Sequence, residues 1–418
     1  MKLFRLTCLS AFVFFASHAV ALEHFEIGVL VEEALQNSPH LQSVRSRLGQ
    51  QTVEMEMARD GRWPTLSGFV EQSSASESRQ QFRLSQTVFD WGITSNKIDL
   101  ADLEVNEIRL EFERVREEEI AALIEYILDW SSANERIQVL QAHLLRLQDL
   151  KDLTSLRVGS VIDRGELSRV QAAIAGVRIE LSSAEFKLQN AEDQIQERVG
   201  RAVNLEGVGT PLDLWRWFTD DISLSEISKV IPLAPVVREA DLGILKAEIE
   251  KKLAKSEWRP TVSLDAIAER TEDRFGSGTD QRIAIRIETP IFQGLSAFKR
   301  PRAAEYALAA AIEERDLSLS QVRRTVKRLI NTSNLQDSRA PQIQQQLQAS
   351  RSTVELYTQQ FRIGRRDMSD LVGAEAERLA AELSAVELEF ERQTVMLRLS
   401  SALGLLAQQV REASKEPS

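Results

Sequence analysis

Apolar residues recur along this chain in two distinct rhythms. In Ser95–Leu156, Ile137, Leu140, Leu144, Leu147, Leu150, Leu153 and Leu156 fall three or four positions apart, forming an apolar stripe on a charged helix. The segment contains neither proline nor glycine. About 60 residues at about 1.5 Å each predict a helix of roughly 90 Å. Compact domains do not use helices of that length, so the stripe is expected to be a packing seam against other helices. Ala303–Tyr357 repeats the pattern, with Pro341 as an expected bend or interruption.

The second rhythm has period two. Leu66, Gly68 and Val70 alternate with Thr65, Ser67 and Glu71, Phe69 being an exception. Phe82, Leu84 and Val88 alternate with Gln81, Arg83, Ser85 and Thr87. Val262, Leu264, Ala266 and Ala268 face away from Ser263 and Asp265, and Ile283, Ile285 and Ile287 from Arg282, Arg286 and Glu288. Strands are therefore expected near 65–71, 81–89, 261–268 and 282–289. Apolar-out, polar-in segments of this length match membrane β-strands. The polar segments Gln72–Gln80 and Arg270–Asp280 read as exposed loops. Trp63, Trp91 and Trp258 lie at the helix-side strand ends, where an aromatic belt anchors a barrel at the lipid boundary. Taken singly, each is equally an ordinary packing residue. Four strands cannot close a barrel, and open edges are not tolerated in hydrocarbon. Either the hairpins pack on something soluble, or several chains share one barrel; the second option also supplies neighbours for the helical seams.

The two rhythms occur twice in the same order. Helix, break (Trp63-Pro64-Thr65 or Trp258-Arg259-Pro260), hairpin and long helix lead to Arg157-Val158-Gly159 in one half and Arg362-Ile363-Gly364 in the other. Each glycine suits a positive φ at the turn, and a return helix of about 35 residues follows. Asp163, and Ser369 or Asp367, are candidate caps for those return helices. The connector Glu206–Pro235 carries Trp215 and Trp217, expected to pack onto the helical body.

Composition narrows the function. Residues 1–21 read as a cleaved signal peptide, with Lys2 and Arg5, the apolar run Leu6–Phe15 and the site Ala19-Val20-Ala21. The only cysteine, Cys8, falls inside it, so the mature chain has no disulfide or thiolate chemistry. The formal charge of -11 becomes -13 without Lys2 and Arg5, which disfavours nucleic-acid binding. His24, His40 and His143 form no metal-ligand spacing. Gly207-Val208-Gly209 and Gly276-Ser277-Gly278 lack a phosphate-loop context. Neither a cofactor nor an enzymatic activity is expected.

In their order, these landmarks resemble the TolC family of outer-membrane efflux and secretion channels. The likeness rests on Ala34-Leu35-Gln36-Asn37-Ser38-Pro39, Trp63-Pro64-Thr65, Gln86-Thr87-Val88-Phe89-Asp90, Pro290-Ile291-Phe292-Gln293-Gly294, the tips Val158-Gly159-Ser160 and Ile363-Gly364-Arg365, and Ser401-Ala402-Leu403-Gly404-Leu405-Leu406. It implies a mainly α chain with membrane β-strands: a signal peptide (1–21), a first repeat (22–204), an equatorial connector (205–235), a second repeat (236–407) and a tail (408–418). It further implies a homotrimer with a twelve-stranded β-barrel on a periplasmic α-barrel, joined by a periplasmic adaptor and an inner-membrane transporter. The tips Arg157, Val158, Gly159, Ser160 and Arg362, Ile363, Gly364, Arg365 would meet the adaptor or form the constricted entrance. Asp370 matches the first aspartate of an acidic constriction, and Arg366 a basic position that holds the closed state. Gly373 stands where a second aspartate is expected. Arg83, Asp265, Arg286 and Glu288 would line the lumen as water-facing residues, and splaying of the hairpins would open the duct.

The expected function is a passive exit duct of the outer membrane. The lack of an N-terminal lipid anchor favours type I protein secretion beside an ABC transporter. Drug or metal efflux beside a proton-driven pump is the alternative, and a periplasmic coiled-coil scaffold without a pore is the reading from another class.

Overall fold

The computed structural model describes residues 27–73, 78–155, 164–205, 229–273, 276–289 and 296–413. Helix α1 (27–37) is followed by α2 (Pro39–Asp60), β1 (Thr65–Gln72), β2 (Ser78–Phe89), α3 (Ile93–Ser155) and α4 (Arg164–Val199). After a short 3-10 turn (Ile231–Leu233) the order repeats as α5 (Pro235–Ser256), β3 (Thr261–Asp273), β4 (Gly276–Glu288), α6 (Ser296–Arg362) and α7 (Met368–Leu403), closed by α8 (Leu406–Ala413). The two halves match closely in length: 22 residues each for α2 and α5, 63 and 67 for α3 and α6, 36 each for α4 and α7. The internal duplication is therefore one of structure as well as of motifs. Signal-peptide residues, Asp163, Trp215 and Trp217 lie outside the described residues.

Pro341 does not interrupt α6, which is continuous from Ser296 to Arg362. A proline removes one ladder hydrogen bond, a local loss that the remaining turns of a long helix tolerate. Asp367 occupies the N-cap of α7 with extended φ and ψ, but its side chain makes no capping bond.

The chain forms two compact units that cut across the repeats. One comprises Met1–Pro39, Val115–Val230 and Val322–Ser418; the other comprises His40–Arg114 and Ile231–Gln321. The first holds two apolar clusters. Ile120, Leu123, Ile124, Ile127 and Leu128 of α3 pack with Ile27 and Val31 of α1, Ile195 of α4 and Leu406 of α8. Farther along α3, Leu140 and Leu147 pack with Val170 and Ile174 of α4 and with Met368 and Leu371 of α7. Both sets follow helical spacing, as a buried seam requires. Glu117, itself buried, accepts hydrogen bonds from the backbone N–H of Leu406 (2.8 Å) and Ala407 (2.9 Å), so one carboxylate caps the start of α8. Near the end of α4, Asn37 donates to the carbonyl of Val199, and a Cβ on Gly200 would lie 2.6 Å from Asn37 Nδ2. Glycine is required at this approach and at its φ of 83°.

The second unit contains one antiparallel sheet in the order β1-β2-β3-β4. Its hairpins join through β2 and β3, with a bulge between Thr87 and Phe89. β3 and β4 extend beyond the expected ends and pair through Arg270–Thr279 and Asp273–Gly276, so much of the segment expected as a loop is strand. Alternation marks only residues facing hydrocarbon, whereas backbone pairing continues through Thr271 and Thr279, which suit a strand without being apolar.

Candidate functional site: a membrane-facing sheet and a helical tip

The sheet exposes its apolar face and shelters its polar one. One row across the strands is Leu66, Leu84, Ala266 and Ile283; the adjacent row is Thr65, Ser85, Asp265 and Ala284. Leu66 and Ile283 are 73% and 77% exposed, whereas Asp265 is fully buried. This corrects the expectation of a water-facing Asp265. Its Oδ1 accepts from Ser85 Oγ (2.7 Å) and Ser263 Oγ (3.4 Å), and its Oδ2 from Arg286 Nε (2.6 Å). Opposite and diagonal neighbours on a pleated face lie within reach of one another, so the carboxylate is enclosed by its own strands. Arg83 lies on the same face, half-buried, and Glu288 is exposed at its end. β1 and β4 form the outer edges, with no partner strand on their far sides among the described residues.

The helix-side rim of this sheet is built by the three tryptophans and their neighbours. Asp90 accepts from the N–H of Gly92 (3.0 Å) and Thr94 (2.7 Å), capping α3. Burial pushes the Asp90 carboxyl up, but the hydrogen bonds from Thr94 and Gly92 outweigh it and hold the pKa below its ordinary value. Trp91 takes a φ of 60°, uncommon for a bulky residue. Its Nε1 donates to the Pro260 carbonyl (2.9 Å), its carbonyl accepts from Ser256 Oγ (3.3 Å), and Phe89 meets its ring edge-on at 4.7 Å. Trp258 lies 6.2 Å from Phe298, and Trp63 is largely exposed.

The α6–α7 tip is a glycine-terminated turn. Gly364 has φ 74°; its N–H bonds the Phe361 carbonyl (3.0 Å), and the Arg365 N–H bonds the Gln360 carbonyl (2.9 Å). This double bond pattern ends a helix by satisfying carbonyls that the next turn would have used. Arg362, Ile363 and Arg365 surround it, with Ile363 exposed. Arg366 donates to Asp370 (3.0 Å) and to Gln360 Oε1 (3.0 Å), and its guanidinium lies 4.2 Å from the Tyr357 ring centroid. Arg169 of α4 donates to Ser369 of α7. The α3–α4 tip residues Arg157, Val158, Gly159 and Ser160 lie outside the described residues.

Sequence reasoning missed a buried ionic network between the long helices. Arg146 of α3 donates to Glu375 (3.0 Å) and Glu382 (3.0 Å) of α7; Arg378 adds a bond to Glu382 (3.0 Å), and Arg351 of α6 lies 3.5 Å from it. His143 Nδ1 lies 3.5 Å from Glu375. Burial raises the Glu375 pKa, but His143 and Arg146 reverse the shift and leave it lowered. The available signal was Glu375, Arg378 and Glu382 at spacings of three and four on one helix face. Among the described residues, no group of His, Cys, Asp and Glu could hold a metal ion.

A sheet that encloses Asp265, exposes its aliphatic face and belongs to a duplicated chain of long helices defines a class of protein: the outer-membrane duct with a periplasmic helical body. The chain belongs to the outer membrane efflux protein family, whose model it matches over residues 30–201 and 227–405. No curated protein matches it by sequence. Its fold is that of solved outer-membrane channels. CusC, described for folding and transmembrane channel formation, is 15% identical, with 90% of this chain and 91% of that one covered and a TM-score of 0.78. VceC of Vibrio cholerae is 18% identical, with coverage of 91% and 96% and a TM-score of 0.76. The open-state MtrE channel of Neisseria gonorrhoeae is 18% identical, with coverage of 90% and 88% and a TM-score of 0.78. The protein is thus a non-enzymatic outer-membrane channel component of an efflux or export system, with a large periplasmic helical region.

Proposed function

We propose that the chain is the exit duct of a tripartite drug or metal efflux system, acting as a homotrimer. The carrying observation is the sheet with an exposed aliphatic face and two open edges, β1 and β4. Unpaired backbone in hydrocarbon costs several kcal/mol per group, so edge must meet edge. Three copies of a four-stranded sheet give a closed barrel of twelve strands, an even number like that of single-chain outer-membrane barrels. The family's efflux character favours efflux over the type I secretion reading.

In this reading Arg83, Arg286 and Glu288 line the lumen, with Asp265 beneath them holding Arg286 in place. Trp63, Trp91 and Trp258 sit at the lipid boundary. Segments 157–160 and 362–365 contact a periplasmic adaptor that links the duct to an inner-membrane transporter. The Arg366–Asp370 pair belongs to the periplasmic entrance, where splaying of the hairpins opens the path. The duct itself does no chemistry; the transporter supplies the energy.

Two measurements test the proposal together. Detergent-purified protein in planar bilayers should give discrete ion conductance. A strain lacking it should become sensitive to drugs or metal ions while keeping its secreted proteins. Absence of conductance would remove the pore; lost secretion with unchanged sensitivity would reinstate type I export.

A further inference from the structure

The two ends of the sheet differ in charge. Among the described residues, the helix-side flanks, 59–64, 90–97, 255–260, 289 and 296–302, carry eight basic and three acidic side chains. The far end, 71–73, 78–80, 269–273 and 276–282, carries five acidic and three basic ones. A basic rim in a chain with a net charge of -11 is a local departure from its composition.

Arg259 stands at the centre of that rim. Its guanidinium lies 4.8 Å from the Trp91 ring centroid and 5.8 Å from that of Trp258. Both rings belong to the junction where the exposed aliphatic face of the sheet ends. Among the described residues, the Arg259 side chain has no carboxylate partner and makes no hydrogen bond. Other cations of the rim are spent locally: Arg300 pairs with Glu257 (3.0 Å) and Lys255 lies 3.7 Å from Glu305. Arg62 and Lys299 are exposed and carry no ion pair among the described residues. Cation–π contacts hold a guanidinium in place without using its N–H donors, and those donors match phosphate oxygens two at a time.

We propose that this rim is a binding site for anionic phospholipid, with Arg259 as the central phosphate donor and Arg62 and Lys299 as flanking charges. The acyl chains lie along the aliphatic face at Leu264, Ile285 and Ile287, and the headgroup meets the cations just beyond the tryptophans. Continuity of the apolar face with the basic rim selects a molecule that is both apolar and anionic, which free phosphate is not. The site fixes the depth of the sheet in the leaflet adjoining the helices. It rests on the sheet lying in the bilayer.

The test is native mass spectrometry of the assembled protein released from nanodiscs of phosphatidylethanolamine and phosphatidylglycerol. Wild type should retain phosphatidylglycerol above its bulk share. Arg259→Gln should lower that enrichment about fivefold, the effect of one basic residue near an anionic surface. Arg62→Gln/Arg259→Gln/Lys299→Gln should return retention to the bulk ratio, while Arg259→Lys and the far-end control Arg79→Gln/Arg282→Gln keep it. Only assembled oligomers are counted, so a folding failure of the triple variant leaves the single ones to decide. Bulk composition on wild type, or wild-type enrichment on Arg259→Gln, overturns the site. Bilayer conductance of the same variants reports on the duct separately and should be unchanged.

Discussion

The two compact units draw on the same repeated elements and differ in how much of an apolar core each encloses. In the helical unit, Leu123, Ile124 and Ile127 are fully buried within the chain. In the sheet-bearing unit Met55, Ala101 and Val105 form a buried helical cluster, whereas Leu66, Ile283 and Ile285 of the sheet are more than 70% exposed. The helical unit buries a core within the chain, while Ile179 and Phe186 of α4 stay 72% and 73% exposed. The sheet-bearing unit leaves the aliphatic face of its sheet uncovered, and an exposed apolar patch of this kind marks an interaction surface.

The contrast can be broken most severely in the helical unit. Arg146→Leu leaves Glu375 with His143 as its neighbour and removes one of the partners of Glu382; breaking a buried ion pair costs about 3–5 kcal/mol, read as a lowered urea midpoint for loss of helix. Leu123→Ala should cost about 2–5 kcal/mol by the same readout, from lost burial and the cavity it leaves. In the sheet, Ile285→Arg should leave the helical content intact yet impose about 2–4 kcal/mol against insertion, seen as failure to partition into vesicles. Equal loss of helix in Ile285→Arg and Leu123→Ala would erase the distinction between the units.

Acidity sharpens the comparison further. The lowered Glu375 pKa means the folded protein favours the carboxylate; this stability is present above about 4.5 and is lost as pH falls through the folded value. Asp129, raised by burial and by Glu125, and Glu135, raised by burial and by Glu389, work in the opposite sense. Acid titration of helical content should therefore show a limb below about 4.5 that Glu375→Gln flattens. The smallest effect on stability is expected at the tip. The Arg366–Asp370 pair is exposed, so Asp370→Asn should leave the urea midpoint for loss of helix nearly unchanged. It should nevertheless alter single-channel conductance or cation block if Asp370 lines the entrance, and an unchanged profile removes it from that role.

The alternation from Leu66 to Val70 and from Ile283 to Ile287 was legible because each residue takes its face from the pleat alone. The turn at Gly364 was legible because few residues other than glycine accept its φ. Strand ends were not, since Arg270 and Thr279 pair without contributing to an apolar pattern. The continuity of α6 through Pro341 was hidden because a proline's local penalty is visible in the sequence and the surrounding helix that absorbs it is not.

Taken alone, the sequence determined the repeat, the helical seams, the strand faces and the turn at Gly364, all of which arise from steric and solvation preferences acting within a few residues. Tertiary structure alone decided that Asp265 is enclosed by Ser85 and Arg286, that Arg146 bridges Glu375 and Glu382, and that Arg259 rests between two tryptophans. Those pairings join residues up to 236 positions apart. Long-range partners are selected by which elements come to lie side by side, and no local preference encodes that choice.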